Sequence, residues 1–384
     1  MVMASPDPAS LIARYARTLG DVIGDGHHVS SPLGAWLLLA LCAPAAQGQD
    51  AAKLAGVLGA EPGPAAALAG ELLSEPHPLV AAAAAVWSAP GAGSQAWLTG
   101  LPAPVTQGEP PDQATVDRWA REHSFGLIDK FPLRIDAEVY LLLATALATK
   151  VSWESPFDLR PGTALGGSWR LDQVLASPDH PSHSAFIAST PNAGDVAVHV
   201  GRAQGGLVVL SVIAAPDVPR ADVADAAHQL AIAVARNAEV SRRSLFDLPL
   251  GDAPLWSIRE EQSAGGAAER IQAVLPAWSA SDTLDLSDDR LGFDAAGHAI
   301  GGGDRWDARQ AVTANYSRTG FEAAAVTAIA ARMAMRPRQR TARLAELRFA
   351  HPYAVIAASA TQPSSPWHGL PLFSAWITEP RDAS

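Results

Sequence analysis

Few residues of this chain could do chemistry: it holds eleven histidines and one cysteine in 384 residues. A serine hydrolase needs a nucleophile on a sharp turn, often Gly-x-Ser-x-Gly, with a histidine in hydrogen-bond reach. No such pentapeptide occurs. The histidines include the pair His27-His28 and the segment Asp179-His180-Pro-Ser-His183. Adjacent histidines point apart on a helix or strand, and no Cys/His/Glu spacing completes a metal site, so both groups read as solvated loops. Gly301-Gly-Gly-Asp304 has neither of the glycine patterns that cradle phosphate. Cys42 lies in Leu37-Leu-Leu-Ala-Leu-Cys-Ala43, an apolar stretch that predicts a buried, inert thiol. As the only cysteine it can form no intrachain disulfide. The residues themselves supply no nameable catalytic set, and they suggest no cofactor and no metal.

The elements that would position any site are those of a large core. The chain is 48% hydrophobic and 17% charged, with a net charge of −11. That composition opposes disorder and nucleic-acid binding. Arg336, Arg338, Arg340 and Arg343 form the one basic cluster, expected in a short loop. The N-terminus Met1-Val-Met-Ala-Ser-Pro-Asp-Pro8 lacks a basic region followed by an apolar core, which predicts no signal peptide and a cytoplasmic location. The apolar run 33–46 is too short to span a bilayer, so no membrane partner is expected.

Glycine and proline are scattered, which favours one domain with many turns over two joined by a linker. Leu11 to Ile23 has helical spacing, and Ser30-Ser31-Pro32 starts a second, strongly apolar helix. Thr115 to Glu122 presents Val116, Trp119 and Ala120 on one helical face. Val139 to Thr149 is an almost unbroken apolar run, expected to be an interior strand of the largest sheet. Leu207 to Ala214, Tyr353 to Ala357 and Leu370 to Ile377 read as further strands. The class is mixed α and β.

Several blocks then fall in a familiar order. Ser30-Ser31-Pro32-Leu33 is followed by Lys53-Leu-Ala-Gly-Val-Leu58, and then by Val116-Asp-Arg-Trp-Ala-Arg-Glu-His-Ser-Phe-Gly126-Leu-Ile128. Next come Lys150-Val-Ser-Trp153-Glu-Ser-Pro-Phe157-Asp158, Val274-Leu-Pro-Ala-Trp278 and Leu291-Gly-Phe293. Leu347-Arg-Phe349-Ala-His-Pro352-Tyr353 and Leu372-Phe373-Ser-Ala-Trp376-Ile-Thr-Glu-Pro380 close the series. Between them lies Gly320-Phe-Glu-Ala-Ala-Ala-Val-Thr327. Together these blocks resemble the serpins, a family of serine protease inhibitors, of which the chain looks like a divergent member.

The resemblance implies an α+β fold in a single domain over residues 1–384, with an ordered core of about 9–380. It implies a central, mostly antiparallel sheet, two further sheets, surrounding helices and an exposed reactive loop at about 318–346. It also implies a monomer that is not an enzyme but a suicide substrate, with a serine protease as partner. The protease would cut the loop, which would then insert into the central sheet; family membership would further suggest an extracellular setting.

Gly320, Phe321, Glu322, Ala323, Ala324 and Ala325 match the family's hinge. The shutter and breach, where the sheet must open, fall on Ser31, Gly34, Thr145, Trp153 and Gln310. Trp153 is expected near the point where the segment before Gly320 meets the sheet. On insertion, alternate residues from Phe321 to Met333 would face inward and are uncharged, whereas Glu322 and Arg332 belong to the other face. The family count places the cut at Ala334-Met335, with Arg332-Met333 as runner-up, and residues from about Ala328 to Thr341 are expected to protrude. Phe321 stands where inhibitory members carry Thr or Ser, Arg318-Thr319 replace acidic residues, and Gly34, Thr145 and Gln310 alter the shutter. These departures support the alternative of a non-inhibitory protein that binds a ligand or partner, or is merely cleaved.

Overall fold

The computed structural model describes residues 7–91, 94–136, 139, 141–149, 151–263, 267–301, 307–321 and 340–384. The first third runs α1 (Pro8–Ile23), β1 (His28–Ser30), α2 (Pro32–Cys42), α3 (Gly48–Leu58), α4 (Pro62–Ser74), β2 (Val80–Ser88), α5 (Gln95–Gly100), β3 (Thr106–Gly108) and α6 (Gln113–Glu122). The middle runs β4 (Leu141–Thr149), β5 (Val151–Ser152), β6 (Asp158–Pro161), β7 (Gln173–Ala176), β8 (His183–Thr190), β9 (Gly194–Ala203), β10 (Leu207–Ile213) and α7 (Arg220–Ala235). The remainder is β11 (Gly251–Asp252), β12 (Trp256–Ser263), β13 (Glu269–Leu275), β14 (Trp278–Asp285), α8 (Phe293–Ala299), β15 (Arg309–Tyr316), β16 (Gly320–Phe321), β17 (Arg340–Arg348), β18 (Tyr353–Ser359) and β19 (Pro371–Ile377).

One six-stranded sheet has the order β1-β19-β18-β10-β9-β8, all antiparallel. Its strands β10 and β18 are buried along their whole length, as their continuous apolar runs require. One face of this sheet packs on α7 through Val198, Val208, Leu210, Ala227 and Ala231; the other faces the main core. A second six-stranded sheet, β11-β12-β17-β13-β7-β6, receives the chain after residue 339. Helix α2 lies at the centre, with every residue except Leu38 buried. Ser31 caps it by accepting the amide of Gly34, and Pro32 occupies its first turn.

The third sheet is parted. Strands β3-β2-β4 form one piece and β14-β15-β16-β5 the other. Only Lys150 separates β4 from β5 in the chain, so one run of backbone serves both pieces. Among the described residues, this run pairs along 141–149 with β2 alone, so its second edge is open there, where the sequence predicts an interior strand. The physical reason is a groove of about 550 Å³ between β4 and β15. The apolar run is nonetheless covered on both faces, by Trp119 of α6 on one side and by the α2 core on the other.

Two further expectations change. The loop boundary at 346 moves back, because Arg340–Arg348 is strand β17, paired with both β12 and β13. Arg343 is therefore no loop residue; its guanidinium donates to the carbonyls of Leu245 and Leu248.

Candidate functional site

At one end of the groove the two pieces of the parted sheet are joined by β16. Gly320 faces Ser152 and Phe321 faces Val151, while Phe321 also faces Tyr316 across β15. The first two residues after the turn at 317–319 thus already lie between β5 and β15. A Cβ on Gly320 would stand 2.3 Å from the carbonyl oxygen of Val151, so only glycine allows this approach.

Trp153 holds the turn. Its amide donates to the Thr319 carbonyl at 3.1 Å, and its indole donates to the Ser317 carbonyl at 3.0 Å. The Phe157 amide donates to the carbonyl of Arg318 at 2.9 Å, and Arg318 Nε donates back to the Phe157 carbonyl at 3.1 Å. Trp153 and Phe157 are buried against Tyr316, with ring centroids 5.1 and 5.7 Å from it.

Further down, each lip of the groove puts one side chain on the first turn of α2. Thr145 of β4 donates its hydroxyl to the Gly34 carbonyl at 2.9 Å. Gln310 of β15 grips Ser31 by both backbone groups: its Oε1 accepts the Ser31 amide and its Nε2 donates to the Ser31 carbonyl, each at 2.9 Å. The Ser31 hydroxyl donates to the Leu372 carbonyl at 3.0 Å. A Cβ on Gly34 would lie 3.1 Å from Ser31 Oγ and 3.5 Å from Gln310 Nε2, so this turn is closely filled. Ser31, Gly34, Thr145 and Gln310 are thus brought together, with Trp153 at the joined end.

Glu322, Ala323, Ala324, Ala325, the pair Arg332-Met333, the pair Ala334-Met335 and most of the expected protruding stretch lie outside the described residues. Thr341, at the end of that stretch, is exposed but belongs to β17.

The histidines depart from the sequence reading. His28 opens β1 and is buried, and His27 accepts the amides of Thr378 and Glu379, so this pair is built into the fold. His183 is buried on β8 beside His199 of β9, at 3.1 Å from Nδ1 to Nε2. The sequence signal for His199 is the run Val196-Ala-Val-His-Val200, which places it on an apolar strand. Burial pulls the His183 pKa down to about 4 and that of His199 well below the usual imidazole value. His77 bonds Ser359 Oγ at 3.1 Å, but its Nδ1 accepts the Leu79 amide, so Nε2 carries the proton and donates. This is the reverse of what an attacking serine needs. Cys42 is buried, which pushes its thiol up to about 12. No helix among the described residues is long and apolar enough to cross a membrane.

No family model and no curated protein matches the sequence. Solved structures do match in shape. Tengpin, a thermophilic serpin, in its native state aligns with a TM-score of 0.65 at 14% identity, over 97% of this chain and 93% of its own. Human thyroxine-binding globulin in complex with thyroxine gives 0.64 at 13% identity, over 97% and 98%. Serpin48 of the insect Tenebrio molitor gives 0.61 at 13%, over 99% and 100%. The chain has the serpin fold, a mixed α and β architecture seen here over nearly its whole length.

Proposed function

We propose that the protein is a serine protease inhibitor acting as a suicide substrate, whose cleaved loop completes the parted sheet. The parted sheet itself carries this reading. Among the described residues, the facing edges of β4 and β15 have no ladder partner between them below β16. Such edges are templates for an added strand.

An inserted loop that kept the β16 register would take defined neighbours. Six residues on from Phe321, Thr327 would come beside Thr145 on β4 and beside Gln310 on β15. Residues opposite each other in an antiparallel sheet share a face. Thr327 would therefore point, with Ala323 and Ala325, toward the Ser31–Gly34 turn. Glu322 and the other even-numbered residues would point toward the α6 side, where their charge need not enter the main core. The uncharged alternate set thus matches the buried face of the gap.

Incubation with a panel of serine proteases, read by denaturing gel, tests the proposal. The expected result is a covalent complex, abolished by Thr327→Arg, which would drive a guanidinium onto the turn and leave the loop merely cleaved. A loop cut at Met335 without any complex would point to Phe321 as the obstacle, and Phe321→Thr should then restore the complex. Absence of a complex in both would overturn inhibition. The second reading, a binder of small, largely apolar molecules that carry a hydrogen-bond acceptor, is favoured by Trp119: it lines the same groove, and among the described residues its buried indole N–H has no partner. Saturable binding of a hydrophobic fluorophore, lost in Trp119→Ala, would support it.

A further inference from the structure

His183, His199 and Tyr316 form a chain of hydrogen bonds with one allowed direction. His183 Nε2 lies 2.7 Å from the carbonyl of Ser155, which can only accept, so His183 carries its proton on Nε2. In the neutral ring that burial favours, its Nδ1 then accepts, and His199 Nε2 at 3.1 Å donates. That leaves His199 Nδ1 as an acceptor for the Tyr316 hydroxyl, at 3.5 Å. All three side chains are buried, and Phe157 covers both imidazoles at 4.6 and 5.2 Å. In this arrangement both rings are neutral.

The far end of the chain of bonds is the segment 153–157, which holds the turn leading into β16 through Trp153 and Phe157. The same segment is fastened to β9 by the bridge of Trp153 to Ala203 and by the Glu154 amide on the Arg202 carbonyl.

We propose that His183 and His199 are an acid-operated latch: proton uptake by the pair releases segment 153–157 and, with it, the turn at 317–319. A proton on His183 Nδ1 would set two N–H groups against each other across 3.1 Å. A proton on His199 Nδ1 is tolerated geometrically if the Tyr316 hydroxyl turns round, but it leaves a buried imidazolium with no carboxylate beside it. The charged and titratable neighbours do not supply one. His180, on the loop before β8, opposes a charge on His183; Asp158 of β6 favours it and is exposed. Arg318 has the wrong sign, and Tyr316 and Tyr353 are held neutral by burial. The cluster can therefore admit a proton only by opening to water. This holds whether or not the loop inhibits a protease.

Hydrogen exchange of the full chain at about pH 7.5 and about pH 4.5, corrected for intrinsic rates, tests the latch. Peptides covering 151–160 and 315–321 are expected to lose about tenfold protection at the lower pH, while β10 and β18 keep theirs. The variant His183→Gln, His199→Gln is expected to show no such local loss. If that variant does not fold, long-range nitrogen–proton spectra of the wild type replace it. They should show both rings as Nε2–H tautomers at neutral pH, losing that pattern together with the protection. Unchanged protection at 151–160, equal loss in the variant, or rings that titrate without local opening would each overturn the proposal.

Discussion

Gln310 is an unusual clamp because one amide side chain serves both backbone groups of Ser31, at the start of a helix where free amides abound. Thr145 does the matching task from the other lip, on Gly34. The two lips of the groove are thus tied to one helical turn while, among the described residues below β16, they are not paired with each other. Gln310→Ala would leave the buried Ser31 amide without its partner, while the Ser31 carbonyl keeps the amide of Ala35, a cost of about 1–3 kcal/mol for the one group left unsatisfied. The urea midpoint should fall accordingly with an unchanged slope, and Gln310→Glu, which keeps only the acceptor, should fall between. No loss in Gln310→Ala would mean that water replaces the clamp.

At the scale of elements, what matters is that β16 already lies between β5 and β15 and so fixes the register of anything that follows. Gly320→Ala would drive a methyl group into the Val151 carbonyl. The strands would have to separate there, with an overpacking cost of about 1–3 kcal/mol. Thermal unfolding should report the loss, and exchange at Val151 and Ser152 should rise; unchanged exchange there would contradict the close approach. Much of this layout was legible in the chain. The capped apolar helix after Ser31, the helical face with Trp119, and the apolar runs that became β4, β10, β18 and β19 all lie where hydrophobic period and turn residues put them. Trp153 also lies against the turn, where the family resemblance, and not the hydrophobic pattern, put it. What the pattern could not show was pairing. An apolar run such as 141–149 reads alike whether its second edge is bonded or open, since burial comes from the faces and not the edges. The histidines failed for a related reason. His183 and His199 lie two residues out of direct opposition on neighbouring strands, a relation that exists only once β8 and β9 have paired.

Over the whole molecule, two properties follow. The first is a defined acid sensitivity. His77, His183 and His228 are each drawn down to about 4 by burial, and His199 well below its usual value, whereas the unfolded chain titrates near the ordinary value of about 6.5. Between these limits the unfolded state binds more protons, so stability is full above about pH 6.5 and falls as pH drops toward about 4. Asp7, Asp112, Asp288 and Asp294 are held below the usual carboxylate range and act mainly lower in pH, where protonation removes their stabilisation. Urea midpoints should therefore decline through the imidazole window, and His228→Gln should flatten part of that slope; a midpoint constant from neutrality to about pH 4.5 would show that the buried histidines are protonated in the fold. The second property is the fit between loop length and gap length. If the loop inserts in the β16 register, Leu141 at the far end of β4 would pair with Ala331, and residues 321–331 would fill the described edge. A cut after Ala334 leaves three residues beyond that end, about 10 Å of tether, and one after Arg332 leaves a single residue, about 3 Å. A cut after Arg338 leaves seven residues, about 23 Å, which lets an attached protease sit undistorted and complete hydrolysis. Arg340 is excluded on other grounds, because it is already paired with Ser263 in β17. The productive bond is thus expected at Ala334-Met335, with Arg332-Met333 second. The fragment beyond the cut carries β17, β18 and β19 and should stay seated in its two sheets until denatured. Its mass, taken in denaturant from the covalent complex, should begin at Met335 or Met333; a stable complex whose fragment begins at Gln339 would refute the length argument.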